Sequence, residues 1–307
     1  MVSMTTLSHG LSWVDLHFQG RDNVIASAIV ESPGGVAIID PGPTSCLEAL
    51  ELGLQARGIR WPDVRHILLT HIHLDHAGAT GTIVRAHPHV AVMVHEKGAK
   101  HLVDPTKLLD SATRLYGEHM DRLWGEFAPV PADRLEVLTG GERVEAGGRI
   151  FDVAYTPGHA SHHISFFDGS SGVAFVGDTA GVSVNDGYVL PPTPPPDIDL
   201  ELWTASIDRI LAWSPSTLFL THFGPAMHVR SHCAELGENL QQTAQFVRAS
   251  LGEPGTDEER GARFEEWLRQ QLRQQMTDAR VQEYIVAAGF RYQWLGLARY
   301  WRKKLGL

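Results

Sequence analysis

Cysteine is nearly missing from this chain: 307 residues contain only Cys46 and Cys233. Two thiols cannot build a disulfide framework, so a reducing cytoplasm is the expected setting. No apolar run approaches the roughly 20 residues that a membrane helix requires. Residues 1–7 offer neither a basic start nor an apolar core of a leader, so no secretory signal is expected. Positive charge is also short. The net charge is −10, and residues 1–228 hold 14 Lys and Arg against 26 Asp and Glu, a net of −12. Such a body lacks the broad basic face that nucleic acids demand. There is no G-x-S-x-G segment to present a serine nucleophile, no repeat of fixed period and no disordered tract.

Histidine, by contrast, is abundant, with 17 copies. Where they fall depends on the elements around them. Residues 12–18, 23–30 and 35–39 read as strands, with Pro33-Gly34-Gly35 as a turn. A helix capped by Thr44 or Ser45 follows, then an apolar strand over 65–70. Residues 79–86 predict a helix, 90–94 a strand, and 97–127 a helical stretch. Strands return at 134–138, 142–145, 150–155, 163–167 and 172–176. A loop with a run of prolines spans 179–199, followed by a helix over 200–212 and a strand over 217–220. From 229 onward the pattern is helical, broken near 252–255 and 289. About 150 residues per domain suggests two units: a strand-rich body, 1–228, and a helical domain, 229–307.

Four apolar strands each deliver a histidine or aspartate to a chain break. Thr70-His71-Ile72-His73-Leu74-Asp75-His76 follows the first, and Thr156-Pro157-Gly158-His159 the second. Gly177-Asp178-Thr179 follows the third, and Thr221-His222-Phe223-Gly224-Pro225 the fourth. In extended backbone His71, His73 and Asp75 would share one side. A helical turn starting there would bring His76 back to it. Neutral imidazole with carboxylate suits zinc and related divalent metals.

In this order, H-x-H-x-D-H, T-P-G-H, G-D-T and T-H-x-G-P resemble the metallo-β-lactamase-fold hydrolases, over roughly residues 11–228. The resemblance implies a four-layer α-β-β-α sandwich, here with an appended C-terminal helical segment. It implies one metal held by His71, His73 and His159, a second by Asp75, His76 and His222, and Asp178 bridging both. Two divalent ions per chain are thus expected, zinc first, with iron or manganese as alternatives. Position 178 is Asp where the true β-lactamase branches commonly have Cys, and the set looks closest to the glyoxalase II and lactonase branches. The implied reaction is hydrolysis of an ester, thioester or lactone by a hydroxide shared between the metals, with Asp75 orienting the nucleophile and receiving its proton. The rivals are a mononuclear iron enzyme of the persulfide dioxygenase type, a phosphodiesterase or phosphotriesterase, and a metal-binding module without turnover.

Around this set, Tyr188 is the candidate oxyanion donor on the 179–199 loop. His162 or His163 is a candidate supporting or substrate-contacting group. Leu115, Tyr116, Met120, Trp124 and Phe127 read as core, with pocket wall as the alternative. By analogy with glyoxalase II, Arg299, Arg302 and Lys303 could hold an anionic carrier; a helix end favoured by its dipole is the plainer reading. Trp294, Leu297, Tyr300 and Trp301 suggest docking to the main body or to a second subunit, so a homodimer is an open expectation. The expected partner is a small-molecule substrate, with no nucleic acid and no membrane.

Overall fold

The computed structural model describes residues 4–8, 10–184 and 187–307. One sheet runs in chain order: β1 (Met4–Ser8), β2 (Leu11–Asp15), β3 (Ala26–Ser32), β4 (Gly35–Ile39), β5 (Val64–Leu68), β6 (Ala91–His95) and β7 (Leu135–Leu138). Its first four strands are antiparallel neighbours; β4 to β7 are parallel. The second sheet contains β8 (Arg143–Ala146), β9 (Arg149–Tyr155), β10 (Ile164–Asp168), β11 (Val173–Phe175), β12 (Thr217–Leu220) and β13 (Gly224–Ala226), in the order β13-β12-β11-β10-β9-β8.

The central strands, such as β4, β6, β11 and β12, read as largely apolar runs because both of their faces are covered. Period-2 alternation sorts their side chains into different cores. In β4, Ala37 and Ile39 face the space between the sheets, whereas Val36 and Ile38 face outward. In β12, Phe219 joins the inner core, whereas Leu218 and Leu220 face the other way.

The outer face of the first sheet is covered by helices α1 (Leu47–Ala56), α2 (Leu74–Ala77), α3 (Thr80–Ala86), α4 (Glu96–Val103), α5 (Thr106–Tyr116) and α6 (Met120–Trp124). The outer face of the second is covered by α7 (Leu200–Ala212), α8 (Val229–Ser250), α9 (Asp257–Arg273), α10 (Asp278–Ala288) and α11 (Phe290–Leu305). This is the expected four-layer sandwich. Strands β1 and β13 were not legible in the sequence, since their few residues carry no strong alternation. The 97–127 stretch is three short helices: Asp104-Pro105 separates α4 from α5, and Gly117 and Gly125, at positive φ, end α5 and α6.

The C-terminal helices share one core with the second sheet. Tyr284, Trp294 and Leu297, all fully buried, belong to the same cluster as Ala174, Val176 and Leu218. Trp294 and Leu297 therefore dock onto the main body, as one of the two expected surfaces.

A largely buried ion pair within the second sheet also reaches across to the first. Arg149 Nη1 lies 2.6 Å from Asp168 Oδ2, and its guanidinium also donates to the Glu31 carbonyl at 3.3 Å. Burial pushes the Asp168 carboxyl up, but hydrogen bonds from Ser170, Arg149 and Ser171 outweigh it and hold the pKa below the ordinary range. Asp168→Ala is expected to cost about 3 kcal/mol, because a buried guanidinium loses its counter-charge; urea unfolding at pH 7 measures it. The pair's contribution is full above the unfolded carboxyl's pKa of about 3.9. It fades as pH falls through the lower folded value.

Candidate metal centre

Strands β4 and β5 are parallel, as are β11 and β12, and β9 points the same way as β11 through antiparallel β10. Their C-terminal ends therefore meet at one edge of the sandwich. Backbone bonds stitch that edge: Ile164 N–H donates to the Thr70 carbonyl at 2.8 Å, and Ala26 N–H to the Thr221 carbonyl at 2.8 Å. The segments after these strands carry all seven expected ligands.

The structure brings the seven together. His71, His73 and His159 form one group of facing donor atoms, and Asp75, His76 and His222 another. Asp178 lies between them. Its Oδ1 is 3.2 Å from His76 Nε2 and 3.5 Å from His222 Nε2, and its Oδ2 is 3.3 Å from His159 Nε2. Asp75 Oδ2 is 3.3 Å from His222 Nε2. One local expectation is corrected. Asp75 is not in extended backbone with His71 and His73 but in the first turn of α2. That turn places it beside His76 in the second group.

Fixed partners on the far side of three rings set their tautomers. His159 Nδ1 donates to the Pro192 carbonyl at 2.9 Å, and His222 Nδ1 to the Val24 carbonyl at 2.6 Å. His76 Nδ1 donates to Asp40 Oδ2 at 2.8 Å. With the proton held at Nδ1, each Nε2 presents a lone pair to the cluster. There it faces the carboxylates of Asp75 and Asp178, which in their ionised form are acceptors only. His76 Nε2 and Asp178 Oδ1 are buried with no hydrogen-bond partner. Acceptors converging on acceptors in a buried space call for a cation between them, and imidazole with carboxylate is the donor set of borderline divalent ions. The residues fit the group that the resemblance implies.

The protonation tendencies agree. Burial, reinforced by neighbouring histidines, holds His71 well below its usual value, and His73 falls to about 4. Burial likewise lowers His159. These three stay neutral and able to ligate. Burial also opposes charge on His76 and His222, but Asp75 and Asp178 outweigh it and raise both. The carboxylates thus demand positive charge at this spot. Burial pushes Asp75 up, yet His76 and His222 bring it down to about 2, so it is ionised throughout the neutral range.

Asp40 was missed as a functional residue, because at the end of β4 it reads as a strand stop before Pro41. It adopts φ 52°, a left-handed conformation that Asp tolerates. Its carboxylate also accepts from Thr70 N–H at 2.8 Å, Thr70 Oγ1 at 2.7 Å and Thr221 Oγ1 at 2.9 Å. One buried anion thus ties His76 to two of the strand ends. A strand-end aspartate followed by Pro-Gly-Pro was the available signal.

A cavity of about 920 Å³ opens over the cluster, reached by His73, Asp75 and Asp178. Leu115, Tyr116 and Trp124 line it, the alternative to core; Tyr116 and Trp124 also belong to the core of the first layer, with Met120 and Phe127. His162 faces the cavity, while His163 is buried behind it on Thr156 Oγ1 at 2.9 Å.

Tyr188 is not at the site. Its ring is buried against the C-terminal helices, its carbonyl accepts from Tyr284 Oη at 2.7 Å, and it is absent from the cavity wall. The loop turns the phenol away because Tyr188 fills the apolar seam over α8 and α10. The described residues of the same loop form a fixed wall. Val189 N–H donates to Glu235 Oε1 at 2.9 Å, Asn239 Nδ2 donates to the Val189 carbonyl at 2.8 Å, and Thr193 is clasped by Gln293. Arg299, Arg302 and Lys303 also lie outside the cavity wall; Arg302 Nη2 is held at 2.6 Å by Asp257. Cys46 and Cys233 are buried away from the cluster, with thiols pushed up to about 11 by burial.

The model of the metallo-beta-lactamase superfamily matches residues 20–222. The metallo-beta-lactamase fold-containing protein ST1585 of Sulfurisphaera tokodaii is 32% identical over 52% of this chain and 60% of its own. The hydroxyacylglutathione hydrolase of a Synechococcus strain is 29% identical over 52% of this chain and 49% of its own. The chain thus spans about half the length of these curated relatives, from 49% to 60%. Among solved structures, the metallo-beta-lactamase family protein TTHA1429 from Thermus thermophilus superposes with a TM-score of 0.74 at 24% identity, covering 97% of this chain and 95% of that one. The ST1585 structure superposes with a TM-score of 0.65 at 21% identity, covering 94% and 98%. The match over residues 20–222, on the fold and the histidine and aspartate clusters described above, places the chain in the metallo-beta-lactamase superfamily, a family whose fold and clusters imply divalent metal use.

Proposed function

We propose that the chain is a binuclear metal-dependent hydrolase of esters, thioesters or lactones. The observation that carries this reading is the meeting of two three-residue groups at Asp178, with imidazole lone pairs and carboxylates facing one another beneath an open cavity. His71, His73 and His159 would hold one ion, Asp75, His76 and His222 the other, with Asp178 shared. Bound divalent ions supply Lewis acidity there, making water nucleophilic near neutral pH and polarising an acyl carbonyl.

The chain's own residues do the rest. Asp75 is half-buried and reaches the cavity, whereas His71, His76, His159, Asp178 and His222 are buried. Its ionised carboxylate can orient the attacking water and accept its proton at short range. Asp40, Pro192 and Val24 keep three rings from turning, so the donor atoms need no rearrangement. The hydroxyacylglutathione hydrolase relatives support the thioester end of the substrate range. Asp178 in the bridging position supports the same side.

Elemental analysis of the purified protein, with a panel of thioesters, lactones, aryl esters and phosphodiesters, tests the proposal. The expected outcome is two divalent ions per chain and turnover confined to the acyl substrates. One iron per chain, unchanged by metal supplementation, together with oxygen-dependent turnover of a persulfide, would replace it with the oxygenase reading.

A further inference from the structure

The cavity over the cluster is lined by two unlike groups of side chains, one basic and one aromatic. The chain has only five lysines: Lys97, Lys100, Lys107, Lys303 and Lys304. The first three all line this cavity, joined by Arg114, in a body whose net charge is −12 over residues 1–228. Lys97 and Lys100 come from α4, Lys107 from the first turn of α5 and Arg114 from its last turn, and all four side chains are exposed. Lys97 donates to Tyr155 Oη at 2.6 Å. Among the described residues, Lys100, Lys107 and Arg114 form no ion pair. Asp197, an acid in the same lining, is bonded by Ser161 Oγ at 2.5 Å.

The other group is aromatic and apolar. Phe18 stacks on Trp124 with ring centroids 5.4 Å apart, and Tyr116 packs edge-on against Trp124 and Tyr292 at 5.1 and 5.2 Å. Val286 and Leu115 continue this wall. His73, Asp75 and Asp178 open onto the same cavity. Unpaired cations gathered beside one another repel unless an anion joins them, whereas an apolar trough gains from excluding water.

We propose that this cavity takes an apolar acyl group against the Trp124 group and an anionic leaving group, bearing phosphate or carboxylate, against the Lys97–Lys100–Lys107 group. The inference rests on the hydrolase reading above and names its substrate class: an ester or thioester whose scissile carbonyl lies over Asp75 and Asp178. Water adds to that carbonyl and the bond to the leaving oxygen or sulfur breaks; the hydroxyl of the water stays on the acyl carbon as the carboxylic acid, and its other proton passes to the leaving oxygen or sulfur, which departs as the alcohol or thiol. The basic end of α11 plays no part, since Arg302 is committed to Asp257.

Non-cleavable thioethers separate binding from turnover. Calorimetry on the metal-loaded protein would compare S-decyl coenzyme A, S-decyl glutathione and the neutral S-decyl-N-acetylcysteamine. At low salt, at least one anionic probe is expected to bind about tenfold more tightly than the neutral one. Preference for the first marks a phosphate leaving group, and preference for the second a carboxylate one. Lys100→Glu/Lys107→Glu should abolish the preference, while Arg299→Glu/Arg302→Glu should retain it. Equal affinities for the three probes, or a preference that survives the lysine variant, would overturn the proposal. Failure of the metal-loaded enzyme to cleave decanoyl thioesters, beside an intact lysine-dependent preference, would remove the hydrolase reading and leave the anion subsite standing.

Discussion

Asp75→Asn is expected to lower kcat by on the order of 10²-fold or more, the usual loss when a positioned acid–base group is removed. The substitution keeps the volume of the side chain and removes its charge and basicity. Asp75 is held at about 2 by His76 and His222, so the wild-type group is a full carboxylate at neutral pH. The amide cannot accept the proton of the attacking water. At the second group it also offers a weaker ligand beside His222 Nε2, 3.3 Å away in the native protein. The first group should be spared. His71 Nε2 and His159 Nε2 both sit 3.0 Å from His73 Nδ1, and none of the three depends on Asp75 for its position. Steady-state kinetics with metal analysis of the same preparation checks both halves. Near-full turnover by the variant would show that Asp75 is not the proton acceptor. A variant that retains neither metal would show that the two groups are not separable.

Removal of residues 229–307 is expected to leave a chain that does not stay soluble. Helices α8 to α11 cover the outer face of the second sheet, and fully buried Leu236, Tyr284, Trp294 and Leu297 close the cluster over Val176 and Leu218. Exposed apolar patches of that kind drive association. The damage should reach the metal cluster too. Gln293 clasps Thr193, the preceding residue, Pro192, supplies the carbonyl that orients His159, and Tyr284 Oη binds the Tyr188 carbonyl. Without the helices the 179–199 loop loses these anchors. Trp294→Ala tests the same packing in a full-length chain. Its indole Nε1 donates to Ser250 Oγ at 2.9 Å within a fully buried site. A cavity of that size typically costs about 3–5 kcal/mol, which lowers Tm by roughly 10 °C. Thermal unfolding that is unchanged in the Trp294 variant, or a soluble and monomeric truncated chain, would show that the helices are an accessory to the sandwich.

Much of the chemistry is local in sequence, and that part was legible. Apolar strands buried on both faces announce themselves as unbroken runs, and a polar residue at the end of such a run has few structural reasons to be there. His71, His159, Asp178 and His222 could therefore be picked out, and their order carried the resemblance to the superfamily. The helices after residue 229 were equally clear from their period and their Gly and Pro breaks. What the sequence could not supply was any relation between distant segments. Asp40 looks like a strand stop until Thr70, His76 and Thr221 are seen around its carboxylate, contacts made across 30, 36 and 181 positions. Tyr188 has the right chemistry for an oxyanion donor, yet a side chain in a loop points wherever apolar burial takes it, here into the seam beneath α10. Leu115, Tyr116 and Trp124 carry the same helical spacing whether they face core or cavity, because periodicity defines a face and not what lies against it. The basic residues show the same division. The resemblance to glyoxalase II drew attention to the cations at the end of α11, whereas packing paired Arg302 with Asp257 and put Lys97, Lys100 and Lys107 in the wall of the cavity over the site. The sequence by itself determined which side chains could bind metal and on which strand ends they sit; only the tertiary structure decided what faces them, because side-chain direction and burial are set by contacts between segments far apart along the chain.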